Sequence, residues 1–274
     1  MSALEDGLAD ESAAADGSDD RRARRAVLIL AWAQSVLGAQ LVVHFIFGGL
    51  AGALLAADPA FATLPISMIV LTSMVSAPVL SWFMGRFGRR PGFLLGAGAG
   101  ALSAGLAMHA IEVKSFALFC AGTALAGVYM AAHNLYRFAA TDLASDSFRP
   151  RAISWVMIGG LFGAVIGPEI AQYFENAMEP VPYAGAYRAL VVLNIVGAVP
   201  LLFLDIPRPA LRAAAAARRG TAAPPAPARP WREILTEPRI VVAMLCAMVS
   251  YALMNLMMTS TPLAMIGCGF GTGD

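Results

Sequence analysis

The chain has 274 residues, 58% of them hydrophobic and only 14% charged. Soluble domains carry roughly a quarter of their residues as charges, so this composition excludes an ordinary soluble globule and points to a bilayer. The net charge of +1 gives no basis for binding nucleic acid. The three cysteines lack ligand-like spacing and give none for a disulfide framework or a metal site.

In chain order, residues 1–25 read as a disordered acidic tail closing on Arg21, Arg22, Arg24 and Arg25. An apolar run from Ala26 to Ala57 follows, far longer than the core of a signal peptide. Further runs cover 61–84, 92–111, 115–140, 152–173 and 186–205. Each approaches the ~20 residues that a helix needs to cross a ~30 Å hydrocarbon core. Residues 206–239 hold seven arginines and seven prolines and read as an aqueous linker. Pro230, Trp231, Ile234 and Leu235 suggest a short helix lying on the membrane surface there. A last run, Ile240 to about Ile266, gives a seventh span, followed by a tail to Asp274.

Basic residues orient these spans. Seventeen of nineteen lie in the tail, in the turn at 85–91, at positions 137, 149 and 151, or in the linker, which leaves only Lys114 and Arg188 for the other side. Arginine and lysine crowd short cytoplasmic loops, so the N-terminus is expected in the cytoplasm and the C-terminus of this chain outside. The arginine-rich, lysine-poor composition fits a bacterial inner membrane.

The turn Gly85, Arg86, Phe87, Gly88, Arg89, Arg90, Pro91 resembles the loop between the second and third helices of the major facilitator superfamily, G-x-L-a-D-r-x-G-r-k. Arg86, Gly88, Arg89 and Arg90 match at their spacing; Ser81 replaces the first glycine and Gly85 the aspartate. The fifth run resembles that family's antiporter signature, G-x8-G-x3-G-P-x2-G. Gly163, Gly167 and Pro168 match, while Ser154 and Ala171 replace the outer glycines. The resemblance implies an all-α, polytopic membrane helix bundle with seven transmembrane helices of an expected twelve. Residues 26–205 would form the N-terminal six-helix half, built from inverted three-helix repeats, and 206–239 the central linker. Residues 240–274 would begin a second half whose remainder is missing from this chain.

Several residues then stand out. Gly159, Gly163 and Gly167 share one helix face, where a neighbouring backbone can approach closely, and Pro168 permits a bend. Glu169 is a candidate for proton coupling. Gln34, Gln40 and His44 in the first run, Met130, His133, Asn134 and Arg137 in the fourth, and Tyr251, Asn255 and Thr259 in the seventh form polar stripes. The resemblance makes Gln40, His44, Met130, His133, Asn134, Tyr251 and Asn255 candidate substrate contacts, because these three helices line the family's central cavity. It also implies a gating latch, in which Arg89 pairs with Asp142 and Arg86 is the runner-up.

No phosphate-cradling pattern and no hydrolase motif is present. No enzyme, cofactor or metal is therefore expected. The implied function is secondary transport of a small organic solute by alternating access, with proton coupling. The alternative is a truncated, non-transporting membrane protein acting as an assembly or regulatory partner.

Overall fold

The computed structural model describes residues 2–142, 144, 148–174, 181–206, 233 and 236–268. Among the described residues there is no strand, and seven helices are long and apolar enough to cross a membrane. These are α1 (Ser2–Leu55), α2 (Leu64–Phe87), α3 (Arg89–Glu112), α4 (Phe116–Asn134), α5 (Arg149–Phe174), α6 (Ala184–Ala198) and α7 (Pro238–Gly267). A short helix, Tyr136–Ala139, continues α4, and a 3-10 turn, Pro200–Phe203, continues α6. Two compact units result: residues up to Arg208 carry α1 to α6, and residues from Pro209 carry α7. The surface helix expected after Pro230 and most of the linker lie outside the described residues.

Two boundaries differ from the sequence expectations. Helix α1 begins at Ser2, inside the stretch expected to be disordered. Alanine and glutamate are good helix formers, and acidic residues suit a helix N-terminus, so a helix nucleated by the apolar run extends backwards at little cost. The turn at 85–91 is also tighter than a loop. α2 runs to Phe87, α3 starts at Arg89, and Gly88 alone separates them. Its φ of 101° lies where side chains are strained, so glycine is required there. Pro91 falls in the first turn of α3, where its missing N–H breaks no helical hydrogen bond.

Helix α1 is the hub of the first unit. It packs most extensively on α5, then on α6 and α4, and touches α2 and α3. The other close pairs are α3 with α4, α2 with α4, and α3 with α6. Exchanging α1, α2, α3 for α4, α5, α6 maps the five closest pairs, α1–α5, α2–α4, α1–α6, α3–α4 and α3–α6, onto one another, the pattern of two inverted three-helix repeats.

Glycines set the closest approaches. A Cβ at Gly163 would stand 2.8 Å from the Ser35 carbonyl oxygen, and one at Gly167 would meet Val42 and the Ala39 carbonyl. Gly159 lies directly against the backbone of Ala31. The equivalent seam in the other repeat places Gly127 of α4 against the Ile69 carbonyl and the Ser73 amide of α2. Only Ala152, Val156, Gly159, Gly163, Gly167 and Ala171 are buried on α5, so that helix touches the bundle along a single stripe.

Gly163→Val should therefore destabilise the fold by about 1–3 kcal/mol, the usual cost of overpacking. Thermal unfolding of the detergent-solubilised chain would record this as a lowered midpoint. Gly98→Ala, where nothing lies within 4 Å, should leave the midpoint unchanged or slightly higher. Equal midpoints for Gly163→Val and the unmodified chain would mean that α1 and α5 do not meet this closely.

Candidate functional site

Inside hydrocarbon a polar side chain must find its partners within the protein. Gln40 and His44 do so on the face of α1 that meets α3 and α6. Gln40 Nε2 donates to the Gly100 carbonyl at 3.0 Å, and its Oε1 accepts from Asn194 Nδ2 at 2.8 Å. The same Asn194 nitrogen donates to the Leu190 carbonyl. His44 Nδ1 donates to the Gln40 carbonyl at 2.9 Å, so Nε2 is left to accept from the Ser103 hydroxyl at 3.3 Å. Its ring meets Tyr187 edge-on, 5.3 Å between centroids. All five side chains are fully buried. This placement redirects Gln40 and His44 from the solute contact expected of them to the interior, because their hydrogen-bonding capacity is used by neighbouring helices.

The opposite side of α1 carries a different arrangement. His133 of α4 is buried between Tyr129 and Tyr136, with ring centroids at 5.7 and 5.3 Å. Its Nε2 has no hydrogen-bond partner among the described residues. That nitrogen points at Gly38 of α1: a Cβ there would stand 3.4 Å from it and 3.9 Å from the Cα of Gly163. The Gln34 side chain in turn lies over Gly160 of α5, 3.4 Å from the site of its missing Cβ. The Tyr129 hydroxyl donates to the Leu37 carbonyl and ties α4 to α1 just behind this junction.

Three helices thus meet at a floor of Gly38, Gly160 and Gly163, with Gln34 and His133 beside it. Asn134 is exposed next to them, and Met130 packs below on Ile69, Ala126 and Leu41. The expected stripe on α4 is therefore divided. Met130 and His133 are interior, Asn134 is open, and Arg137 leans over the ring of Phe138. Gly38, Gly160, Tyr187 and Asn194 escaped the sequence reading. Asn194 carried a signal, since an amide inside an apolar helix needs a partner.

At the end of the bundle marked by Gly88, Arg89 Nε donates to Asp142 Oδ2 at 2.8 Å, and both side chains are about one quarter exposed. The anticipated pair is therefore present, and it joins the first residue of α3 to the chain just after α4. Asp142 chooses Arg89 over Arg86, which is exposed and makes no ion pair among the described residues. Beside Gly85 nothing lies within 4 Å.

Glu169 is exposed on the side of α5 away from the glycine stripe and forms no ion pair with Arg188. Pro168 follows Gly167 within the helix, also exposed. In the second unit, Asn255 Nδ2 donates to the Tyr251 carbonyl at 3.0 Å, which orders the polar stripe of α7 along its own helix. No cluster able to hold a metal occurs among the described residues.

Paired inverted repeats, glycine seams between spans and a basic one-residue turn define an integral membrane helix bundle of the transporter kind. The chain belongs to the Major Facilitator Superfamily, whose sequence model matches residues 26–273. It is 38% identical over 252 residues to the riboflavin transporter RfnT of Brucella anthropi, a match covering 92% of this chain and 61% of that protein. It is also 30% identical over 190 residues to the MFS-type transporter YdeG of Bacillus subtilis, and 31% identical over 179 residues to YddS of the same organism. Those matches cover 68% and 60% of this chain and 44% and 41% of the relatives. The chain thus spans about three-fifths or less of the relatives it matches. Family and relatives alike point to transport and not to an enzyme.

The Arg89–Asp142 contact is single and partly exposed, so its coupling should be about 1 kcal/mol. A double-mutant cycle of Arg89→Ala and Asp142→Asn on thermal stability measures it. The double variant should lose less than the sum of the single losses; strict additivity would mean that the two side chains do not interact.

Proposed function

We propose that this chain supplies the N-terminal half and the seventh helix of a secondary transporter that moves riboflavin, or a similarly flat, uncharged heteroaromatic solute, by alternating access. The observation that carries the reading is the 38% identity to a riboflavin transporter across 92% of the chain. The junction of α1, α4 and α5 supports it. Gln34, His133 and Asn134 offer amide and imidazole groups, the glycines offer a flat floor, and none of these side chains bears a fixed charge. The unpartnered Nε2 of His133 suits an N–H or O–H of such a solute, since a buried acceptor without a donor is costly.

In this reading the six-helix half rocks while α5 adjusts within it. Gly163, Gly167 and Pro168 let α5 move against α1, and the basic turn of Arg86, Gly88, Arg89 and Arg90 with Asp142 latches the closed state on the cytoplasmic side. Glu169, the one acid on α5, is the proposed proton carrier. The membrane is a bacterial inner membrane with the N-terminus inside.

The test uses bacteria that can neither make nor import riboflavin. They express a chimera in which residues 1–274 replace the matching part of the riboflavin transporter. Uptake of labelled riboflavin is expected. His133→Ala should lower it by about tenfold, the effect of one lost hydrogen bond of ~1.4 kcal/mol. Pro168→Ala should slow it several-fold without reducing the amount in the membrane. Full membrane insertion with no uptake would refute the substrate, and undiminished uptake by His133→Ala would refute the site.

A further inference from the structure

We propose that a groove on the outer surface of α2, α3 and α4 holds one chain of an anionic phospholipid, with the phosphate bound by Arg86 and Arg90. The groove encloses about 200 Å³ and is lined by Val75, Ser76, Val79 and Phe83 of α2, Leu95 of α3 and Val128 of α4. Val75, Val79 and Phe83 recur every fourth residue, so they share a face, and Arg86 follows within about 20° of the direction of Val75. From Val75 to Arg86 is about 16 Å along the axis, close to one leaflet of a ~30 Å core. The apolar slot thus starts near the bilayer centre and ends at a guanidinium.

Charge selects the headgroup. Arg89 is already neutralised by Asp142, whereas Arg86 and Arg90 are exposed and make no ion pair among the described residues. Gly85, just before Arg86, has nothing within 4 Å of the site of its missing Cβ, so the space beside the arginines is open. Trp82 and Phe87 are exposed in the last turns of α2, 65% and 43%, and Phe83 stacks on Phe87 with centroids 4.7 Å apart. Aromatic rings at the mouth of an apolar slot, with two exposed arginines nearby, mark the interface between hydrocarbon and headgroups. A free phosphate would use the arginines alone; the aligned slot argues for a lipid.

Native mass spectrometry of the full chain in detergent tests this with phosphatidylglycerol and phosphatidylcholine of identical acyl chains. Phosphatidylglycerol should be retained in preference. Arg86→Gln with Arg90→Gln should cut its retention by about tenfold. Val79→Trp, at an exposed position, should fill the groove and cut retention with both arginines intact. An unchanged melting midpoint checks that the variants are folded. Equal retention of the two lipids, undiminished retention by either variant, or complete displacement by soluble glycerol phosphate at equal concentration would each overturn the proposal.

Discussion

The first unit depends on one close approach, the seam where Gly159, Gly163 and Gly167 of α5 lie against the backbone of α1. Lipid offers no hydrophobic drive for helices to associate, so dispersion contact has to supply it, and contact at backbone distance needs residues without side chains. Because this single stripe holds α5, most of its circumference is left exposed. The repeat symmetry gives α2 the same relation to α4 through Gly127. Two helices held by narrow seams flank two that are more deeply buried, and the open junction of Gln34, Gly38 and His133 lies among α1, α4 and α5.

Polar satisfaction works alongside the seams. Gln40 and Asn194 join α1 to α6, Gln40 and His44 join α1 to α3, and Tyr129 joins α4 to α1. Each bond takes up a group that hydrocarbon cannot solvate. Helices α1, α3, α4 and α6 are thereby pinned to one another by directional bonds, whereas the glycine seam between α5 and α1 is a contact of shape. A body so divided is stiff at its back and adjustable at its front. The Arg89–Asp142 pair lies at the rim, where water weakens it.

Much of this was legible in the sequence, and the exceptions have physical causes. The spans were legible because an apolar run of membrane length has few other uses. The glycine face of α5 was legible because a repeat of four residues stays on one side of a helix. Asp142 was a readable partner for Arg89 because both stand beside helix ends at the same membrane face. The direction of Gln40 and His44 was not readable. An amide that meets a watery cavity and one that meets Asn194 leave the same letter in the chain, and only the positions of α3 and α6 separate them. The α2–α3 junction was read as too long because arginines and Pro91 look like loop residues, although all of them fit within helix ends.

The account's central claim is that the face bearing Gln34, Gly160 and Asn134 borders water while the outer faces of α1, α3 and α6 border lipid. The most direct test replaces Cys120, Cys246 and Cys268, then introduces single cysteines and measures their labelling in native membranes by a thiolate-specific, water-soluble maleimide. Cysteines at Gly160 and Asn134 should label readily, and cysteines at Leu28, Leu102 and Val192, all exposed but apolar, should remain unlabelled. Labelling at Leu102 and Val192 with none at Asn134 would contradict the account.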